Sequence, residues 1–360
     1  MAGVLEFKSA LSVGRLGFLA GLAAISLISA ALLILAGIAV VGPTFSGPAL
    51  PKTAGTAPRP SGALGHHHPS GVLGHRPPGA LGHAAVAKRA KTGVGGCGSS
   101  VPGQALTLGH RMYAREGLDT FTSTAPLGSF AQRTANAIVY TGDHGMQWTG
   151  YPDGWSSTYS GRAEGYQPST VLSVHGGMLD FYLHNDAKGN PVGADPSPLP
   201  AGNRYQTYGA WSLCERVAPA DGHNLADFHQ AVLLWPFKFR DWPQAESDYP
   251  EQNLNKFDFS GYAHYGSGAQ KVFDIRAVTP HFDTRQWHVY TQTWGPGFRS
   301  YYVDGQLVGT TTRQRWSQPE RWQLQIEPTG STGPVPNDRD SGHVYMKWVW
   351  IGTVPAGPAR

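Results

Sequence analysis

From about Val101 onward the chain is built of short apolar runs that alternate with polar residues and are cut by Gly, Pro and Asp. Residues 171–174 and 178–183 flank His175-Gly176-Gly177, the pattern of two strands joined by a tight hairpin turn. Residues 288–294 turn through Gly295-Pro296-Gly297 into residues 298–303. Asp304-Gly305 then turns again into residues 306–309, as a type I′ hairpin demands. A last strand is predicted over residues 344–351. No long segment sustains a 3.6-residue period, so helix is predicted to be scarce. Residues 101–360 therefore read as one all-β domain, a large sandwich or barrel.

Residues 1–100 are a different material. They hold eight of the 28 Lys and Arg but only one of the 24 acids, Glu6, so the overall +4 divides into +7 here and −3 over residues 101–360. All 11 Trp lie after residue 100. The basic excess belongs to a tail, and a nucleic-acid partner is not expected. Residues 16–42 carry no charged side chain and are mostly Leu, Ala, Ile, Val and Gly, long enough at ~1.5 Å per residue to cross a ~30 Å hydrocarbon core. Lys8 and Arg15 precede this run and nothing charged follows until Lys52. The positive-inside rule then puts residues 1–15 in the cytoplasm and the rest outside. A cleaved signal peptide is the rival reading. The domain is expected either on the outer side of the cell membrane, held by this helix, or secreted if the segment is removed.

Residues 43–100 are rich in Pro, Gly and Ala and repeat imperfectly: Pro60 to His66, Pro69 to His75, Pro78 to His83. Such composition buries too little apolar surface to offset the entropy of ordering, which predicts a disordered tether. Its histidines, His66, His67, His68, His75 and His83, could chelate a transition metal, but a solvated tether is the plainer reading. The two cysteines, Cys97 and Cys214, could pair outside the cytoplasm, or Cys214 could be a buried thiol inside a strand.

The chemical centre lies in Trp242-Pro243-Gln244-Ala245-Glu246-Ser247-Asp248-Tyr249-Pro250-Glu251. On a strand Glu246 and Asp248 share a face. Glu251 is an odd number of positions from Glu246 and would fall on the other face, unless one bulged residue near Pro250 returned it. Three carboxyls in one row raise the pKa of at least one of them, as a group acting as an acid near neutral pH requires. Trp235, Trp242 and Tyr249 stand nearby as possible stacking platforms for sugar rings. An inert acidic strand face is the competing explanation for the hexapeptide alone.

At this point the sequence resembles glycoside hydrolase family 16, the β-jelly-roll endo-glucanases of the concanavalin A-like class, in an actinobacterial form. Glu246 to Glu251 match the bulged form of the family hallmark, E-[IL]-D-x-x-E. Further ordered matches support the resemblance: residues 117–121 with 126–130, Tyr151-Pro152-Asp153-Gly154-Trp155, residues 171–174, Tyr208-Gly209-Ala210-Trp211, residues 231–236, Trp287-His288-Val289-Tyr290 and Tyr302-Val303-Asp304-Gly305. The resemblance covers essentially all of residues 110–354. The resemblance implies a β-jelly roll and a retaining endo-glycosidase acting on a β-linked polysaccharide, with β-1,3- or mixed-linkage glucan expected. It assigns Glu246 as nucleophile, Glu251 as general acid/base and Asp248 as the assisting group between them. Such an enzyme needs no cofactor and no catalytic metal, although a structural calcium is possible, and a monomer is expected. A transglycosylase, or a carbohydrate-binding protein that kept the fold and lost turnover, are the alternatives.

The chain departs from the family pattern at several points. Ser247 replaces the Ile or Leu between the acids and should face the opposite sheet. Ala245 replaces Gly, Ser212 and Cys214 replace an E-x-R pattern expected to grip sugar, and Val232-Leu233 replaces a Phe-Trp pair. His264 follows the catalytic strand where relatives often place a cleft histidine. Trp148 and Gln325 complete the expected substrate-binding set with Trp235, Trp242 and His264; Trp155 and Glu327 are weaker candidates.

Overall fold

The computed structural model describes Cys97 and residues 101–132, 134–158, 161–266, 271–274 (backbone only), 282–329 and 340–355. The expected cytoplasmic segment, membrane run and tether, Cys97 apart, lie outside the described residues. Among the described residues no helix is long and apolar enough to cross a membrane. The domain is all-β, as the hairpin pattern requires, and almost every strand pair is antiparallel.

The larger sheet contains β1 (Ala105–Leu108), β2 (Arg111–Asp119), β5 (Leu172–His175), β6 (Met178–Asn185), β7 (Pro191–Val192), β9 (Gly209–Pro219), β14 (His288–Gly295), β15 (Phe298–Val303), β16 (Gln306–Thr311) and β18 (Gly342–Thr353). Its main path is ordered β1-β2-β18-β9-β14-β15-β16, and β6 joins β18 with β5 and β7 beside it. The second sheet is built from β10 (Phe228–Pro236), β11 (Ser247–Asn253), β12 (Ser260–Tyr265), β13 (Lys271–Asp274) and β17 (Glu320–Pro328), ordered β13-β12-β11-β10-β17. A small third sheet holds β3 (Tyr140–Thr141), β4 (Gln147–Gly150) and β8 (Pro196–Leu199). The hairpins read from the sequence form β5–β6 and β14–β15–β16, and the last predicted strand is the middle of β18. Gly176 and Gly177 (φ 58° and 71°), and Asp304 and Gly305 (φ 49° and 75°), take the left-handed conformation that two-residue hairpin turns impose.

Period-2 alternation sends one face of each sheet into a shared core. Val232 and Leu234 of β10, Tyr249 of β11 and Leu324 and Ile326 of β17 are buried in one apolar cluster with Leu213 of β9, Tyr290 of β14 and Tyr301 of β15. Each such side chain contributes roughly 1.5–3 kcal/mol by leaving water. The other face of β10, β11 and β17 is therefore left to do something else.

The larger sheet also covers its outer face. In β18 the register against β9 shifts between Met346 and Trp348, so Val344 and Met346, then Val349 and Ile351, point into the main core. Trp348 and Trp350 are turned outward to meet Leu108, Tyr113, Cys97 and Cys214 in a second apolar cluster. Cys97 and Cys214 form a disulfide with Cα atoms 5.9 Å apart. The Trp348 indole donates to the Cys97 carbonyl (3.3 Å) and the Trp350 indole to that of Gly103 (3.2 Å). The cystine closes a loop of sequence separation 117, so its loss is expected to cost about 3–5 kcal/mol through the freed unfolded chain. Urea melts of Cys97→Ser, and of the wild type under reductant, should both show that loss; midpoints equal to the oxidised wild type would mean that the tryptophan packing alone holds this segment.

Candidate active site

The site is the face of the five-stranded sheet turned away from the core. In β10 the residues Phe228, Gln230, Val232 and Leu234 are buried on the core side, which leaves His229, Ala231, Leu233 and Trp235 on the site face. β11 keeps to the same face by carrying one extra residue. Against β10, Glu251 pairs with Ala231 and Asp248 with Leu233; against β12, Asp248 pairs with Tyr262 and Glu251 with Ser260. Two β11 residues, Tyr249 and Pro250, thus span what a single residue spans on either neighbour. Pro250 lacks an N–H, so a bulge is where a sheet tolerates it. The result is that Glu246, Asp248 and Glu251 stand on the site face while Ser247 and Tyr249 enter the core.

The core side holds that register. The Ser247 hydroxyl donates to Gln292 Oε1 (3.1 Å) and meets the Tyr301 hydroxyl (2.8 Å), so it faces the opposite sheet through a polar contact where relatives place an aliphatic chain. The Tyr249 hydroxyl donates to the Tyr302 carbonyl (2.7 Å). Glu246 ends a single helical turn, Trp242–Ala245, which leads directly into β11. Its backbone carbonyl accepts from the His264 amide (2.9 Å) and from Gln314 Nε2 (2.9 Å), which also reaches the carbonyls of Ala245 and His264. Beneath this turn the buried ion pair Arg299–Glu320 (2.7 Å) anchors Gln314, which accepts from Arg299 Nε.

Two histidines touch the carboxyl row. His264 Nε2 lies 3.0 Å from Asp248 Oδ2 and Nδ1 lies 3.7 Å from Glu246 Oε2. His229 Nε2 lies 3.2 Å from Glu251 Oε1, and its Nδ1 is 3.1 Å from Asn253 Oδ1. The glutamates retain a little solvent access, with side chains 15% (Glu246) and 20% (Glu251) exposed, enough for a substrate to reach. Burial, followed by the charges of Asp248 and Glu251, pushes Glu246 well above the ordinary carboxyl range. Burial likewise raises Glu251, against the opposing hydrogen bond from His229. Burial and mutual repulsion thus work against full ionisation of Glu246 and Glu251 together, as expected for carboxyls set this close in one row.

Glu246, Asp248 and His264 place donor atoms within 4.8 Å of one another, the one such group among the described residues. The imidazole is already engaged with Asp248, and the cluster is better explained as a carboxyl row held by histidine than as a metal centre.

Trp235 and Trp242 are half-buried near the row, and the Trp242 ring meets the His264 ring edge-on at 5.9 Å. Gln325 lies on the site face of β17 opposite Ala231, but it is buried under the segment after β4, accepting from the Thr158 hydroxyl (2.9 Å) and donating to Glu327 (2.8 Å). Three expectations need correction. Trp148 is wholly buried in the main core, its indole donating to Asp119 Oδ2 (2.8 Å), because β4 presents that face inward. Tyr249 is a core residue, since ordinary alternation puts position 249 on the other face from Asp248. Ser212 and Cys214 project from the outer face of the larger sheet, where Ser212 bonds Thr291 (2.7 Å) and Cys214 is oxidised, so their departure from the family pattern does not touch the site.

His229 is absent from the expected site residues, and Trp155 stands among them only as a weaker candidate. His229 was available from alternation, being two positions before Ala231 and six before Trp235, but its partner Glu251 is set by inter-strand register, which no local pattern reveals. Trp155, weighed below Trp148, is 42% exposed, with one ring face stacked on Tyr151 (5.0 Å, 21°).

Comparison with known proteins finds likenesses in fold and, at low identity, in sequence. No family profile matches it. Its fold is similar to that of an endo-β-1,3-glucanase from Pyrococcus furiosus, at 13% identity and TM-score 0.50, covering 71% of this chain and all of that one. It is equally similar to a non-specific endo-β-1,3(4)-glucanase of family 16, again at 13% identity and TM-score 0.50, covering 70% of this chain and 94% of the other. In sequence it is 21% identical over 211 residues to a β-glucanase of Bacillus subtilis (strain 168), 55% of this chain and 82% of that protein.

The raised carboxyls make a stability prediction. A glutamate whose pKa is higher folded than unfolded binds its proton more tightly in the folded state, so its contribution is fully present below the ordinary carboxyl pKa and is lost as pH rises through the folded value. Glu246→Gln keeps the shape and removes that loss. Its Tm should match the wild type near pH 4 and exceed it near pH 8; a difference independent of pH would show that Glu246 is not held against its charge.

Proposed function

We propose that this protein is a retaining endo-glycosidase that hydrolyses β-linked glucan, β-1,3- or mixed-linkage. The observation that carries the reading is the bulge in β11, which puts Glu246, Asp248 and Glu251 together on the face of the sheet turned away from the core. A retaining mechanism needs two carboxyl groups about 5–5.5 Å apart, one to attack and one to protonate, and near neighbours on one strand meet that need without help from loops.

In the first step Glu246 attacks the anomeric carbon as Glu251 gives its proton to the glycosidic oxygen, and the leaving chain departs with a free hydroxyl. The glycosyl ester on Glu246 is then attacked by water, whose proton passes to the Glu251 carboxylate. Asp248, held by His264, lies between the two and steadies Glu246 as its charge disappears and returns. The two inversions restore the β configuration. Trp235 and Trp242 supply apolar faces for sugar rings beside the row, and the β-glucanases with this fold support a glucan as the polymer.

The reading extends to the N-terminal part as a proposal. Residues 16–42 act as a membrane anchor or export signal, residues 43–100 as a tether, and the domain works outside the cytoplasm, where a cystine such as Cys97–Cys214 persists.

Glu246→Gln and Glu251→Gln should each lower hydrolysis of laminarin or mixed-linkage glucan on the order of 10³-fold, and NMR of the wild-type digest should show the β anomer first. Full activity in either variant, or the α anomer first, would overturn the assignment of roles. Products longer than the substrate would mean that a sugar hydroxyl rather than water takes the second step.

A further inference from the structure

His229 belongs to neither the hallmark motif nor the stacking residues, yet it is the side chain that touches the acid/base. It is buried on the site face of β10, with Nε2 at 3.2 Å from Glu251 Oε1 and Nδ1 at 3.1 Å from Asn253 Oδ1. An amide oxygen only accepts, so Nδ1 must carry a hydrogen. Nε2 is then the atom that shares a proton with Glu251, as a donor when the ring is charged and an acceptor when Glu251 is protonated. We propose, on the glycosidase reading above, that His229 is the positioning residue of the acid/base: clamped by Asn253, it fixes the Glu251 carboxyl in the row and sets the pH range over which that carboxyl keeps its proton.

The surroundings favour a ring that can become cationic. On β11 it faces Glu251 and Asn253, and on β17 its register partner is Glu327. The Glu327 carboxylate accepts from the Tyr166 hydroxyl (2.7 Å) and the Thr158 amide (2.8 Å). Asp248 and His264 lie on the far side of Glu251. Burial works against charge on His229, but the Glu251 hydrogen bond and charge outweigh it and its pKa is raised. A cation at this distance pulls the Glu251 pKa down, offsetting the rise that burial and Asp248 impose. Without it Glu251 would hold its proton too firmly to become the base of the second step.

His229→Gln keeps a neutral donor near Nε2 but cannot ionise; His229→Leu removes donor and charge together. In the full-length protein, with thermal melts to verify folding, the Glu251 carboxyl should titrate about one unit higher in His229→Gln by ¹³C NMR with Glu251→Gln as the assignment control. The alkaline limb of kcat/KM on laminarin should move up by the same amount, because the first step needs Glu251 protonated. His229→Leu should show that shift together with a fall in kcat on the order of tenfold, which the glutamine donor largely prevents. Glu251 titrating as in the wild type in both variants, or a kcat loss equal in both with unmoved pH limbs, would overturn the proposal and reduce His229 to packing. A wild type that cuts no glucan while the Glu251 titration still moves would instead sink the glucanase reading and leave the His229–Glu251 linkage standing.

Discussion

One surplus residue in β11 governs the site. A β-strand alternates its side chains strictly, so three acids spaced as Glu246, Asp248 and Glu251 cannot share a face unless the strand is interrupted. The interruption at Tyr249-Pro250 is absorbed because both neighbouring strands resume pairing beyond it, at Ala231 and at Ser260. Ordinary alternation already sends Tyr249 inward, where its ring fills the core between the sheets and its hydroxyl donates to the Tyr302 carbonyl, and the extra residue after it returns Glu251 to the site face. Catalytic geometry and core packing are thus two faces of one register.

That register is held from below by buried polar side chains. Arg299 and Gln314 donate to the Ala245 carbonyl, Gln314 donates to that of Glu246 as well, and Glu320 accepts from Arg299. Burial lifts Glu320 to about 7 despite Arg299, its ion-pair partner. Such a pair adds little net stability but is expensive to break, which suits a scaffold that must hold one backbone turn rigid. Ser247 works in the same direction, exchanging the apolar contact an aliphatic residue would make for hydrogen bonds to Gln292 and Tyr301.

The opposite side of the molecule follows a separate logic. The register shift in β18 turns Trp348 and Trp350 outward to meet Cys97, Gly103 and Leu108, and the cystine locks Cys97 to β9. This second core shares no residue with the carboxyl row. In the sequence Cys97 lies where the basic composition of residues 1–100 gives way to that of the β domain.

The sequence by itself determined the all-β class, the hairpins around Gly177 and Gly305, the division into a basic tail and a mildly acidic domain, and the three carboxyls with the bulge they require. These are readable because alternation, turn chemistry and composition are local. Tertiary structure alone decided which aromatic residues reach the site: Trp148 and Trp155 are equally aromatic in the sequence, but the layer each strand or loop joins buries the first and exposes the second. It also decided that Ser212 and Cys214 leave the site altogether, since β9 lies in the other sheet and presents them outward. The contact between His229 and Glu251 arises from the pairing of β10 with β11 across 22 positions of chain, and no local pattern encodes which residues an inter-strand register will bring within hydrogen-bonding distance.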